Sequence, residues 1–302
     1  MKVAATISTE APPVERTRVG DYVQLAKPRL SVMALLTVAA GAILASGGSP
    51  DWGLIGHTLL GATLVAVAAS ALNQYYERET DALMRRTENR PLPGGRLHPV
   101  EVLLFGLGLG LAGVAYLAVV VRQPLAALIA AFTFASYVFV YTPLKRKTTL
   151  NTLVGAVPGA LPPVIGWAAV RGSVDWEIGS LFIILFLWQV PHFLSIAWIY
   201  RADYGRAGLC MLPVTDPDGT MTARQMVRYS VALVPASLTP LVLGRAGPLY
   251  LAGAALLGAC FLGFAIAFAR QRSLRRARGA LRASLIYLPV LLALLLLDAA
   301  SG

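Results

Sequence analysis

Charge is scarce in this chain. Only 14% of its 302 residues are charged, whereas 57% are hydrophobic. A soluble domain of this length carries about a quarter charged residues, so a water-soluble globule is excluded. Cysteine is scarce too. Cys210 and Cys260 cannot build a disulfide framework, and they read as small packing residues or bystander thiols. Of the three histidines, His57, His98 and His192, no pair has metal-ligand spacing. No polar linker divides the sequence, which points to one helical bundle. No internal repeat is evident and the charges gather at span ends, which argues against a transporter. The polar stretch Met1–Gly20 lacks the apolar run of a cleaved signal peptide. Residues 1–26 are therefore expected to be a polar, mostly disordered cytoplasmic tail, and residues 27–302 a transmembrane domain.

What the chain does have is a series of long apolar runs, each close to the length that a bilayer core demands. Nine spans are expected: Leu30–Ser46, Leu54–Tyr76, Val100–Val121, Leu125–Thr142, Leu150–Val170, Ile178–Tyr200, Tyr229–Leu243, Leu249–Ala269 and Ala283–Leu297. The seventh is short and holds Pro235 and Pro240. Backbone polar groups in lipid must be satisfied within the segment, so the fold class is an all-α polytopic membrane protein.

Basic residues orient the bundle. Of the 26 lysines and arginines, only Arg122, Arg171 and Arg245 fall in the loops on one side. The positive-inside rule then places the N-terminus and the long loops in the cytoplasm and the C-terminus outside. The net charge of +11 is thereby explained by topology and is no sign of nucleic-acid binding.

Two cytoplasmic segments carry more than connectors need. The first begins NQYYERETDALMRRTENRPLPGG at Asn73. Asn73, Glu77 and Asp81 are spaced i, i+4, i+8; the helical drift is about 40° per step, so all three share one side. Such an oxygen cluster suits Mg²⁺, which takes one or two carboxylates and completes its shell with water and phosphate oxygens. Arg85, Arg86 and Arg90 follow, with the guanidinium geometry that grips phosphate. Acids plus arginines at the mouth of an apolar bundle suit a diphosphate with a greasy tail. They also suit a solvated loop held by local ion pairs. Arg29, in KPRL, and Lys145, Arg146 and Lys147, in YTPLKRKTTLN, are open to a topogenic or a phosphate-binding reading.

The second segment begins WQVPHFLSIAWIYRADYGRAGLCMLPV at Trp188. Pro191 removes a backbone donor inside the span and is expected to kink it. If the helix persists, His192 and Asp203 share a face about 16 Å apart. An intramembrane histidine can contact substrate or bond a neighbouring helix.

These blocks, with VGAVPGALPPVIGWAA between them, keep one order from about Lys27 to Val214. Together they resemble the UbiA superfamily of intramembrane prenyltransferases, and within it the branch that farnesylates protohaem IX to haem O. The last three spans contribute little to the likeness. The resemblance implies a nine-helix transmembrane bundle of UbiA type, with residues 27–302 as the prenyltransferase domain. It implies Mg²⁺-dependent transfer of farnesyl from farnesyl diphosphate to a vinyl group of haem b, with addition of water; haem b is then substrate, not cofactor. It further implies a bacterial cytoplasmic (inner) membrane, and haem A synthase or terminal-oxidase assembly as downstream partners. Carried over by position, Asn73, Glu77 and Asp81 form the first acidic motif and the metal site. Arg86, Arg90, Lys145 and Arg146 lie near the phosphates, with Arg29 and Tyr141 as further substrate contacts. His192, Asp203 and Tyr204 stand where the superfamily has its second acidic motif, with Asp203 catalytic.

Two departures bear on this. Glu77 stands where many relatives have Asp, and its longer carboxylate still reaches a metal. Ala202 replaces an acid usual beside Asp203, which weakens a second metal site. Tyr75, Tyr76, Tyr141 and Trp198 are candidates to shield an allylic cation, or are packing and interface aromatics. Rival readings are a UbiA-type enzyme acting on an aromatic or chlorophyll-type ring, and a non-catalytic haem-handling assembly factor. The latter has no need of Asn73, Glu77 and Asp81 beside arginines.

Overall fold

The computed structural model describes residues 17–301, and those residues contain helices and no strands. The expected tail at residues 1–16 lies outside the described residues. Its expected continuation to residue 26 is instead helix α1, Arg18–Ala26, opened by the Thr17 hydroxyl, which accepts from the Gly20 amide. Asp21 of α1 is buried and accepts from Arg96 Nε at 2.8 Å, which ties this helix to the loop after the second span.

Among the described residues, eight helical segments are long and apolar enough to cross a membrane. They are α2 (Pro28–Ala45), α3 (Trp52–Ala82), α4 (Pro99–Val119), α5 (Pro124–Leu144), the pair α6 (Asn151–Ala160) and α7 (Pro162–Arg171), α8 (Trp176–Ile199), and two more near the end of the chain. Between α8 and those two come the short helices α9 (Arg201–Arg206) and α10 (Leu212–Thr215), then α11 (Thr220–Ala236) and α12 (Thr239–Val242). The last two spans are α13 (Pro248–Arg270) and α14 (Leu274–Ser301).

The expected seventh span is thus two pieces. Its ends still lie at opposite ends of the bundle. Thr220 accepts from Arg272, beside the basic turn of α13 and α14, while Arg245 reaches Glu177 at the start of α8 at 2.6 Å. Nine segments therefore run end to end among the described residues. The break at Ser237 is held by two buried tyrosines: Tyr250 donates to the Ser237 carbonyl at 2.7 Å, and Tyr287 bonds the Ser237 hydroxyl. Those contacts satisfy polar groups that a broken helix exposes where water is absent.

The outer face is apolar. Leu111, Leu104 and Leu128 are 65–74% exposed, and the core holds Trp167, Tyr250, Phe261 and Tyr287 instead. Exposed leucine along these helices is compatible with a lipid solvent. The helices approach most closely where glycine permits it. A Cβ on Gly166 of α7 would lie 1.9 Å from the Val38 carbonyl of α2, and one on Gly41 of α2 would lie 2.0 Å from the Pro163 carbonyl. Small residues at such crossings replace the hydrophobic drive that lipid does not provide. Gly166→Ala must push α2 away. It is expected to cost about 1–3 kcal/mol, read as a lowered melting temperature in detergent.

Candidate active site

Asn73, Glu77 and Asp81 all lie on α3, which persists to Ala82 rather than ending at the membrane surface. The expected loop is therefore helix at these three positions, and the i, i+4, i+8 spacing holds as a single face. Asn73 and Asp81 are buried and Glu77 is nearly so.

Each acid receives a cation from another element. Lys145, just past the end of α5, donates to Glu77 Oε1 at 2.6 Å and lies 4.4 Å from the centre of the Tyr141 ring. Burial by itself depresses the Lys145 ammonium, but Glu77 and Tyr141 outweigh it and hold the pKa above the ordinary lysine value. Arg90 donates to Asp81 Oδ2 at 2.6 Å. The loop folds back to allow this because Thr87 Oγ1 donates to the Asp81 carbonyl at 2.9 Å and the Arg90 amide donates to the Thr87 carbonyl.

Lys27 completes the cluster, and the sequence reading passed over it. It caps both α1 and α2 in the left-handed region, at φ +46°. That uncommon conformation aims Nζ at Asn73 Oδ1, 2.9 Å away. Asn73 in turn donates to Thr142 at 3.3 Å. Burial, then the nearby Arg90 and Lys145 charges, lowers Lys27 to a pKa of about 7, although Glu77 and Asp81 pull the other way. Arg29, the residue favoured from the sequence, is exposed two positions on. The available signal was the place of Lys27 directly before a helix-starting proline.

Below Lys27 lies a cavity of about 290 Å³, lined by Leu30, Ala34, Val38, Phe134, Tyr137 and Tyr141 among others. A π-helical stretch at Ser136–Tyr141 within α5 places Tyr137 and Tyr141 on this wall. A Cβ on Gly155 would fall 2.5 Å from the Tyr141 ring, so glycine makes room for it. Gln189 is one of the polar residues in this lining, and its amide donates to the Leu185 carbonyl at 3.1 Å. Of the four aromatics singled out, only Tyr141 lines the chamber. Tyr75 and Tyr76 pack on each other, and Trp198 packs on Phe268 and Arg201.

The remaining expected residues divide. Arg86 is exposed at the same mouth, where it donates to the Tyr204 hydroxyl at 3.3 Å and lies over the Tyr200 ring. Arg146 points outward, 4.0 Å from Glu79. Asp203 pairs with Arg206 on α9. The helix holding His192 runs through Pro191 but ends at Ile199, so His192 and Asp203 do not share a continuous helical face. His192 turns to α14, where Nδ1 lies 2.8 Å from Ser284 Oγ.

A divalent metal is compatible with this donor set. Asp81 Oδ1 is buried without a hydrogen-bond partner, beside Glu77 and with Asn73 one turn further back. No cluster of three histidine, cysteine or acidic side chains exists among the described residues. Two carboxylates suffice for Mg²⁺ when phosphate oxygens supply the rest. The arrangement as a whole, cations and acids capping an apolar shaft within a helical bundle, is chemically suited to an anionic head with an apolar tail.

Comparison with known proteins agrees with that class. The UbiA prenyltransferase family model matches residues 34–294, and the chain belongs to this family. It is 50% identical over 287 residues to the protoheme IX farnesyltransferase of Solibacter usitatus, covering 92% of this chain and 98% of that one. It is 45% identical to that of Myxococcus xanthus, covering 93% and 95%. Among solved structures, a digeranylgeranylglyceryl phosphate synthase superposes with a TM-score of 0.77 at 17% identity, covering 94% of this chain and 99% of that one. A UbiA homologue from Archaeoglobus fulgidus bound to GPP and Mg²⁺ superposes at 0.60 and 17% identity, covering 93% and 100%. These two share the fold with this chain.

Proposed function

We propose that this chain transfers farnesyl from farnesyl diphosphate to a vinyl group of haem b, with addition of water, giving haem O and diphosphate. The observation that carries the donor half is the unpartnered Asp81 oxygen among Lys27, Arg90 and Lys145 at the head of an apolar shaft. The acceptor is supported by the function named for relatives that match almost end to end.

The diphosphate seats at Lys27, Arg90 and Lys145, with Arg86 at the outer rim. The farnesyl chain runs down past Leu30, Ala34 and Val38. Glu77 and Asp81, with Asn73 beside them, would hold Mg²⁺, which would supply charge neutralisation for the leaving diphosphate. As the C1–O bond breaks, its electron pair goes to diphosphate, and the three cations stabilise the growing charge. Apolar walls keep bulk water from the allylic cation, and the Tyr137 and Tyr141 rings face it. The vinyl π pair forms the new C–C bond. Water adds to the resulting cation and loses a proton, which the released diphosphate can accept. Asp203 is proposed to act through the mouth, by fixing α9 and its Tyr204 under Arg86, rather than as a metal ligand.

The enzyme would sit in the bacterial cytoplasmic membrane with this mouth inside and the C-terminus outside, a placement that the distribution of basic residues supports. It would pass haem O to haem A synthase or to oxidase assembly. Expression in a strain lacking its own haem O synthase should yield haem O on mass analysis of extracted haem. A prenylated aromatic in its place would make this a different UbiA-type enzyme; membrane-inserted protein with neither product would overturn the proposal.

A further inference from the structure

His192 lies within the membrane span α8, outside the diphosphate site, with several of its contacts defined. Ser284 Oγ donates its only proton to the Leu281 carbonyl at 2.7 Å. The contact of 2.8 Å between Ser284 Oγ and His192 Nδ1 therefore needs the proton on Nδ1, which leaves a lone pair on Nε2. The imidazole is stacked on Trp188, with centroids 4.9 Å apart and planes 23° apart. Trp188 is itself fixed, because its Nε1 donates to the Ser284 carbonyl at 2.8 Å. Phe193 meets the ring edge-on at 5.5 Å. One residue of α14 thus anchors two rings of α8 by separate atoms. No hydrogen bond reaches Nε2 among the described residues.

A neutral imidazole held through Nδ1–H, with Nε2 free, is the arrangement that orients a metal-ligating histidine. The proposed function brings one metal of that kind to this bundle, the iron of the acceptor porphyrin. We infer that His192 Nε2 is the axial ligand of the haem substrate, with Ser284 and Trp188 as positioning residues. This rests on the haem reading above and goes beyond it by naming the iron's contact.

The placement is consistent with transfer. Gln189 and Phe193, each the sequence neighbour of Trp188 or His192, line the prenyl chamber. Successive residues on a helix point about 100° apart. A porphyrin reached by Nε2, on the side of the imidazole away from Ser284, would therefore lie beside the chamber wall without occupying the chamber. The Nδ1 partner also matters. A hydroxyl is a weaker acceptor than the carboxylate that commonly backs a permanent ligand, so the imidazole remains a modest donor. Such a ligand suits a substrate that must leave.

The test uses the full chain in lipid nanodiscs with ferric haem b and no diphosphate. The wild type should show the absorption and paramagnetic-resonance signature of imidazole-ligated haem. His192→Ala should lose it, bind haem at least about tenfold more weakly, and regain the signature with millimolar imidazole. His192→Gln, whose amide can still bond Ser284, should stay folded and also lose it. Ser284→Ala should keep the signature with affinity lowered about tenfold. An unchanged spectrum and affinity in both His192 variants would overturn the inference. Haem O formation by the wild type is measured in parallel. If it proceeds without an imidazole signature, the ligand assignment fails and the function stands; if haem neither binds nor reacts, both fail.

Discussion

Asp81→Asn is expected to lower prenyl transfer by about a thousandfold at saturating Mg²⁺ and diphosphate, with the protein still folded in the membrane. The geometry separates the two oxygens of this carboxylate. Oδ2 holds Arg90, and Oδ1 is buried with no partner. An uncompensated carboxylate oxygen in a dry site is sustained by what binds there. The amide keeps the shape and can still accept from Arg90, so the fold should lose no more than about 1–3 kcal/mol. What disappears is the negative charge that draws a divalent ion between helix and substrate. Losing one such electrostatic stabiliser costs about a hundred- to a thousandfold, and here Arg90 also loses its charged partner. Single-turnover product formation across a Mg²⁺ titration measures this. Wild-type rates at ordinary Mg²⁺ would remove Asp81 from the metal site.

Lys27→Met should weaken diphosphate binding by about tenfold to a hundredfold, the worth of one charge-assisted hydrogen bond. It should also flatten the pH dependence. The groups facing Lys27 are Arg90 and Lys145, which repel its proton, and Glu77 and Asp81, which retain it. With burial they leave its pKa at about 7, so the free enzyme is roughly half protonated at neutral pH. A bound diphosphate favours the ammonium, and binding therefore takes up a proton. As pH rises above 7 that proton must be supplied from ever more dilute solution, and the apparent affinity falls by up to about tenfold per unit. The methionine variant has nothing to protonate there. Unfolding does not mimic this. Between pH 7 and the ordinary lysine value of 10.5 the unfolded chain binds more protons than the folded one, so this group makes the fold more stable as pH rises. Michaelis constants from pH 6 to 9 distinguish the cases, and the same slope in both proteins would remove Lys27 from the diphosphate site.

Much of the bundle was legible because bilayer thickness and helix geometry leave few options. Span limits near Leu54, Val100 and Leu249 fall within a few residues of the helices found. The segment around Pro235 and Pro240 was the ambiguous one, and it is the one that is broken. The Asn73, Glu77 and Asp81 face was legible because a helical period acts within one element. Arg86, Arg90 and Arg146 were not distinguishable by the same reasoning. Arg90 reaches an acid only because its loop folds back through Thr87, whereas Arg146 follows Lys145 by one residue and so points outward.

The sequence by itself therefore determined the class, the position of most spans, the charged face and the acids on α3. Those follow from local periodicity and from transfer of side chains between lipid and water. Tertiary structure decided which cations meet which acids, which aromatics wall the chamber, and that His192 faces Ser284 rather than Asp203. Those outcomes depend on where separate helices cross, at glycines such as Gly41 and Gly166, and on a single left-handed residue between α1 and α2. No spacing along the chain encodes a contact between elements dozens of residues apart. For that reason Lys27, and not Arg29, stands over the site.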